Sequence, residues 1–472
     1  MANTGEITSD GKTKDPLDFR EQRIRSIDSS GAYLGRPETL FFLFVIIFGS
    51  AMAFVSPPIT VPDEQVHLYR IWQLSQGQLL SPRYGGDIPK SLNSLANTYH
   101  FMLVDSRTNR LAWHKLVEDF HLSLNSGDTV FLQFPSTSLY SLLAYLPQTI
   151  GFLIARKMNW SPIAMFYSGR LCGLFAYALM GWLTIRILPV LKWPACIALS
   201  GPMAMFMAAS LSADSMNTSI ASLAVALSLR MILAGTAPPR RFAIGLGLSM
   251  IGLALCKSVY LPIVLMVFLV PARNWNARRP WLWPVAIFGA SLMTVMLWSW
   301  LTHPMGAQNM PGRLPRVQFH YALYHPGSYL ANFNRTMWRD YRNLLQDVVG
   351  GLGRLDALMP EPFEHIYLAA LVWIVLKYGE PLTVSLRVRL IAAIAFAGSV
   401  FLLTLANYLV WTLPRARYTE GLQGRYFLPL VVLFFVVIQR RGRYAIVPKW
   451  VLVGMTGCIL LAYWTLLERY YL

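Results

Sequence analysis

The sequence predicts an all-α polytopic membrane protein with about eleven transmembrane helices, and three observations predict it. The 472 residues are 55% hydrophobic and only 14% charged, against the roughly 25% charged residues of soluble domains. Apolar runs of membrane length recur from residue 39 to residue 467, each able to bury its backbone polar groups inside a helix. The basic residues between those runs cluster in alternate loops, as they do when Lys and Arg collect on the cytoplasmic side. The net charge of +18 is therefore topological. Nucleic acid, the partner that a pI near 9.9 could also suggest, is not expected.

The elements follow in order. Residues 1–37 form a polar cytoplasmic tail, much longer than the charged start of a secretory signal. Ala51-Met52-Ala53 resembles a cleavage site, but Thr39 to Val55 serves as an uncleaved first span. A single membrane domain takes 38–472. Its spans are read at 39–56, 169–189, 194–212, 215–235, 242–257, 258–272, 281–301, 364–378, 388–411, 425–439 and 447–467. The stretch 138–156, with Pro147 in its middle and Arg156-Lys157 at its end, is read as lying along the outer surface. With the N-terminus inside, and Arg20, Arg23, Arg25 and Arg36 with it, five later basic clusters also fall inside: Arg186 and Lys192; Arg240 and Arg241; Arg273, Arg278 and Arg279; Lys377, Arg387 and Arg389; and Arg440, Arg441, Arg443 and Lys449. Two long loops, about 57–168 and 302–363, then lie outside, the first carrying interfacial helices. Cys172, Cys196, Cys256 and Cys458 stand singly in apolar stretches and read as core residues rather than disulfide or metal positions.

The chemistry-bearing residues concentrate at the outer ends of these spans. Asp63-Glu64 follows the first span in VSPPITVPDEQVHLYR. Pro62 is suited to opening a helix, and acidic groups in a first turn complement the helix dipole. Asp63, His67 and Arg70 would then share one face at i, i+4 and i+7. This pattern has two readings: a surface helix with an acidic first turn, or a base and metal site in which Asp63, Glu64 and His67 hold Mg²⁺ or Mn²⁺. Arg170 opens the second span, Asp214 closes the third, Lys257 lies at a turn between two short spans, and Arg425 opens the tenth with Arg415 and Arg417 before it. Lys and Arg near helix ends often reach to lipid headgroups. As a set, however, they ring an acidic pair, which suits a phosphate-bearing lipid. The aromatics, among them Tyr140, Tyr145, Tyr167, Tyr260 and Tyr426, are mostly interface belt; some are expected to line a sugar pocket, and Tyr260 and Tyr426 are taken as its candidates.

PDEQVHLYR, FPSTSLYSLLAYLPQTIG, SGRLCGLFAY, SLSADSMN, CKSVYLP, GGLGRLDALMP and LQGRYFLPL resemble, in that order and from about residue 40 to 440, a bacterial membrane family called domain of unknown function 2142. That family in turn resembles the C-type glycosyltransferases. The resemblance implies a C-type glycosyltransferase-like fold in the bacterial inner membrane with its active site on the extracytoplasmic side. It implies a polyprenyl-phosphate-linked sugar donor, and an envelope glycan, lipid or protein as acceptor. The acidic residue of the first outer loop falls on Asp63, with Glu64 beside it, as the catalytic pair. A single displacement, inverting at the sugar, follows, with Asp63 as general base and Arg425, Lys257 or a divalent cation offsetting the charge on the departing phosphate. Two positions depart from the family: Pro135 stands alone where related enzymes show paired prolines, and Arg354 stands where Trp is expected. A transporter or flippase of a lipid-linked glycan, or a non-catalytic subunit of an envelope-polymer assembly, are the alternative functions.

Overall fold

A computed structural model describes residues 35–106, 108–302, 312–378, 380 and 382–472; Arg20, Arg23 and Arg25 of the tail lie outside them. The chain enters through α1 (Pro37–Val55), and the first long loop then builds a small subassembly. It holds α2 (Glu64–Ser75), α3 (Lys90–Tyr99), α4 (Trp113–Asp119) and the single turn α5 (Pro135–Ser138). Strands β1 (Gly85–Pro89) and β2 (Thr129–Gln133) pair antiparallel, Gly85 facing Gln133 and Pro89 facing Thr129. Next come α6 (Leu146–Lys157) and α7 (Pro162–Ile187).

Gly151 of α6 meets the backbone of Ser168–Gly169, and Gln148 packs on Gly173. The two helices therefore run antiparallel in close contact. The segment expected to lie along the outer surface packs against the first half of α7. Small residues on both sides allow this approach, since a Cβ on Gly151 would sit 2.6 Å from the Ser168 carbonyl. Leu146, Ile150, Leu153 and Ile154 stay exposed on its other face, which keeps the amphipathic character the sequence shows.

The span expected at 194–212 is broken. It forms α8 (Lys192–Leu199) and α9 (Pro202–Ala208), because Pro202 cannot continue the hydrogen bonding of α8. Then α10 (Asp214–Leu233) and α11 (Arg240–Cys256) pass up and down the bundle. Asp214 and Lys257 therefore share one end of the bundle, and Arg230 and Arg241 share the other. The next apolar run, Ser258–Leu269, is a 3₁₀-helix. At a rise of about 2 Å per residue, its twelve residues reach about 24 Å where an α-helix would reach about 18 Å. The run is thus able to cross most of a bilayer core despite its shortness.

Farther along lie α12 (Leu282–Thr302), α13 (Pro315–Tyr324), α14 (Pro326–Val349), α15 (Glu361–Lys377) and α16 (Leu386–Val410). Between α14 and α15, β3 (Gly351–Leu352) and β4 (Ala357–Leu358) form a tight antiparallel turn. A second 3₁₀ run, Gly424–Leu430, continues into α17 (Val431–Ile438), and α18 (Pro448–Tyr470) closes the described chain. Among the described residues six helices are long and apolar enough to cross a membrane: α1, α7, α10, α12, α16 and α18. The protein is thus membrane-embedded and mostly helical.

The core centres on α10, where 78% of the most apolar stretch is buried, against 17% for α12. Its buried face carries Ser215, Asn217, Thr218, Ser219 and Ser222, small or polar residues that let neighbouring helices approach.

Candidate functional site

The loop between α1 and α2 is tied down by one ion pair. Arg170, fully buried on α7, gives Nε and Nη2 to the two oxygens of Glu64 at 2.9 and 2.7 Å. Its Nη1 reaches the carbonyls of Ala53 and Ser56 at 2.7 and 2.6 Å, and Nη2 also reaches that of Pro57 at 3.1 Å. The Phe166 ring lies 4.6 Å from the guanidinium. Glu64 accepts two further N–H groups, from Ile59 at 3.0 Å and Leu211 at 3.1 Å. Within this clamp Ile59 and Asp63 both take left-handed backbone angles, φ 68° and 61°. Such angles are costly for a β-branched residue and tolerable for aspartate. The helix expected to begin at Pro62 therefore begins at Glu64, with Asp63 at its cap and its side chain turned away from Glu64.

Asp63 faces the opposite partner set. Its Oδ2 accepts Nη2 of Arg425 at 2.8 Å, with the aspartate side chain 38% exposed and the arginine buried. Arg425 opens the second 3₁₀ run and is held by Gln423 through Nε at 2.7 Å and by the Pro62 carbonyl through Nη1 at 3.3 Å. Its Nη1 also lies 3.6 Å from Asp214, whose other oxygen is 3.4 Å from Nζ of Lys257. Lys257 in turn sits 4.2 Å from the Tyr426 ring. The Tyr260 hydroxyl donates to the Tyr426 carbonyl at 2.8 Å and so joins the two 3₁₀ runs. Asp63, Arg425, Asp214 and Lys257 thus form one chain of alternating charge where four elements end. Burial would raise the Asp63 carboxyl, but the charge and hydrogen bond of Arg425, with smaller help from Arg354 and, only where its ring is protonated, from His67, outweigh it. The carboxyl is held below its ordinary value.

His67, one turn into α2, is buried, with Nδ1 2.6 Å from the Tyr145 hydroxyl. Burial pushes its pKa down to about 4, against the upward pull of Asp63 and Asp214, so the ring is neutral at neutral pH. Arg70 does not join the cluster. It is fully buried and binds Gln73, Ser81 and the carbonyls of Leu79 and Tyr140, which fastens α2 to the loop around it. Arg417 lies exposed on the segment leading to Gly424.

Asp63, Glu64 and His67 do not converge as a metal-ligand set. Both Glu64 oxygens are committed to N–H donors, Nδ1 of His67 pairs with Tyr145, and only Asp63 opens outward. Among the described residues no group of three His, Cys, Asp or Glu side chains is arranged to hold an ion. Glu64 and Arg170 instead form a buried pair that ties the loop before α2 to α7.

Several residues that position the site were not singled out from the sequence. Tyr145, read only as an interface aromatic, is the partner of His67, and its place directly before the Pro147-bearing segment was the available signal. Asp347 accepts the Gly424 N–H at 3.3 Å and so anchors the turn that presents Arg425; burial raises its carboxyl. A Cβ on Gly424 would lie 2.2 Å from the Leu344 carbonyl, which explains why glycine precedes the arginine. The GGLGRLDALMP motif is a brace. Asp356 binds Arg469 at 2.8 Å and the Tyr470 hydroxyl at 3.1 Å, tying the β3–β4 turn to the end of α18.

With this geometry in place, comparison with known proteins adds one match. The sequence profile of a family described as "Predicted membrane protein (DUF2142)" covers residues 44–434. No curated protein and no solved structure matches the chain.

Proposed function

The chain belongs to the DUF2142 family of predicted membrane proteins, and from that premise we propose that it is an inverting glycosyltransferase acting on a polyprenyl-phosphate-linked sugar. The observation that carries this reading is the state of Asp63. It is a carboxylate 38% exposed and fixed at 2.8 Å by a buried arginine, with Asp214 and Lys257 continuing a chain of alternating charge behind it. In the proposed reaction Asp63 takes the proton of an acceptor hydroxyl as that oxygen forms a bond to the anomeric carbon. The bond from that carbon to the phosphate oxygen breaks on the opposite face, and polyprenyl phosphate leaves as a stable anion. Lys257 is 15% exposed and stands 3.4 Å from Asp214, so it is the cation best placed to meet that phosphate. Arg425 positions the base. We place the site on the extracytoplasmic side of the bacterial inner membrane, since the basic clusters of Arg186, Arg230 and Arg241 lie at the other end of the same helices. The acceptor in this reading is an envelope glycan, lipid or protein.

The test uses membranes carrying the full chain, supplied with radiolabelled polyprenyl-phosphate hexoses and envelope polymer. The expected result is label joined to acceptor through a new glycosidic bond of inverted configuration. Asp63→Asn should lower this by about 10²–10⁴-fold while leaving elution and melting unchanged. Normal turnover by the folded variant would remove Asp63 as the base. Movement of the labelled lipid across the bilayer with no new bond would favour a flippase instead.

A further inference from the structure

At the end of the bundle opposite Asp63, the helices α7, α10 and α11 leave a cleft of about 1120 Å³ between them. We infer that it holds one anionic phospholipid of the leaflet on that side. The mouth is basic: Arg186, Arg230 and Arg241, with Lys192 beside them, line it, and among the described residues no Asp or Glu does. Among the described residues none of these four cations is in an ion pair. Glu380, near Lys192 in the fold, accepts the Leu191 N–H at 2.9 Å and does not line the cleft. The turn joining α10 to α11 forms the rim, held from behind by the Asn274 amide, which donates to the carbonyls of Met231 at 2.7 Å and Ala234 at 3.2 Å. Basic pockets of this kind between transmembrane helices suit phosphate headgroups.

Past the mouth the walls are apolar, with Leu183, Leu223, Leu227 and Leu248 among them. The cleft follows α11 from Arg241 to Gly252, eleven residues or about 16 Å of helix, which is about one leaflet of the roughly 30 Å hydrocarbon core. It ends where Leu143 closes on Gly252, at 3.3 Å from the position a Cβ there would take. A depth of one leaflet fits the acyl chains of a phospholipid. It does not fit a long isoprenoid descending from the other side, and an apolar wall has no use for a free phosphate. Gly245 leaves the middle of the cleft open, with Leu227 no closer than 3.7 Å to its missing Cβ. This inference is independent of the glycosyltransferase reading.

The test is native mass spectrometry of the detergent-purified full chain titrated with phosphatidylglycerol and with phosphatidylcholine of identical acyl chains. We expect one phosphatidylglycerol retained per chain in preference to phosphatidylcholine. Neutralising Arg186, Arg230 and Arg241 to Gln should weaken it roughly fivefold per arginine, about a hundredfold in all. Gly245→Phe, which fills the cleft and keeps every charge, should also expel it, and this variant decides the matter if the triple substitution does not fold. Equal retention of both lipids by the unaltered chain would overturn the inference. So would lipid retained by the folded Gly245→Phe variant, or a rise in melting temperature with inorganic phosphate alone equal to that with phosphatidylglycerol.

Discussion

Glu64 takes four N–H donors on its two oxygens and has no exposed side-chain surface. Asp63, the residue before it, meets one arginine and leaves 38% of its side chain open. Both are carboxylates paired with a buried arginine from a distant element, and they differ in what remains unsatisfied. A buried ion pair of the first kind repays the removal of two charges from water only when every lone pair finds a donor. The Glu64–Arg170 pair meets that condition and adds three backbone carbonyls. It is saturated, so its role is to hold the strained loop from Ser56 to Asp63. The second pair has spare capacity on the carboxylate, which a general base requires. In the proposed reading fold and chemistry are thus divided between adjacent residues, and the left-handed turn at Asp63 keeps them apart.

The sharpest way to break this comparison is to remove the arginine of the sealed pair. Arg170→Met leaves Glu64 buried without its cation, and losing one partner of a buried pair costs about 3–5 kcal/mol. We expect the variant to be poorly recovered from membranes and to melt far below the unaltered chain. Adding Glu64→Leu should recover part of the melting temperature without recovering activity, because the loop that presents Asp63 would no longer be clamped. An Arg170→Met protein that melts normally would show that the pair is not what holds the loop.

A smaller effect separates the two regions by pH. His67 is buried neutral, with its pKa at about 4 against an ordinary 6.5. Below pH 6.5 the unfolded chain takes up a proton that the folded protein refuses until about pH 4. Stability is therefore complete above pH 6.5 and falls as the pH drops through this window, by at most about 3 kcal/mol. His67→Gln should flatten the fall in melting temperature between pH 6.5 and 4. Asp63, whose carboxyl is lowered, contributes its own loss only below its unfolded value of 3.8, outside that window. Identical pH profiles for the two proteins would mean that His67 is not kept neutral by burial.

The sequence carries much of this arrangement, and what it lacks is pairing across distance. Charges at span ends are conspicuous in an apolar chain, so Asp63, Glu64, Arg170, Asp214, Lys257 and Arg425 all stand out by type and place. Which carboxylate is structural depends on Arg170, 106 positions away, and no local pattern encodes that contact. Arg70 at i+7 from Asp63 looked like part of one helical face, but the helix starts one residue after Asp63, and Arg70 turns to Tyr140 and Ser81. Hydropathy locates Ser258–Leu269 and Gly424–Ile438 as apolar runs without showing their 3₁₀ geometry, which depends on packing. Pro262 and Pro429 inside them were the local hint that ordinary helices would not form.

The mildest perturbation sharpens the role of Arg425 itself. Burial alone would raise the Asp63 carboxyl, and Arg425 is the largest opposing influence. A base must be deprotonated, so activity falls as the pH drops through its pKa, and kcat/KM should show an acid limb set by Asp63 in the free protein. Arg425→Gln removes the lowering influence and should move that limb to higher pH. It should also cut the plateau rate by roughly 10- to 100-fold, the order expected when a positioning contact is lost. Arg425→Lys restores the charge without the forked geometry, so it should return the limb most of the way while leaving the plateau depressed. That split follows only if the arginine both tunes and aims the carboxylate. A limb at the same pH in all three proteins would assign the titration to another group and leave Arg425 as packing between the two 3₁₀ runs.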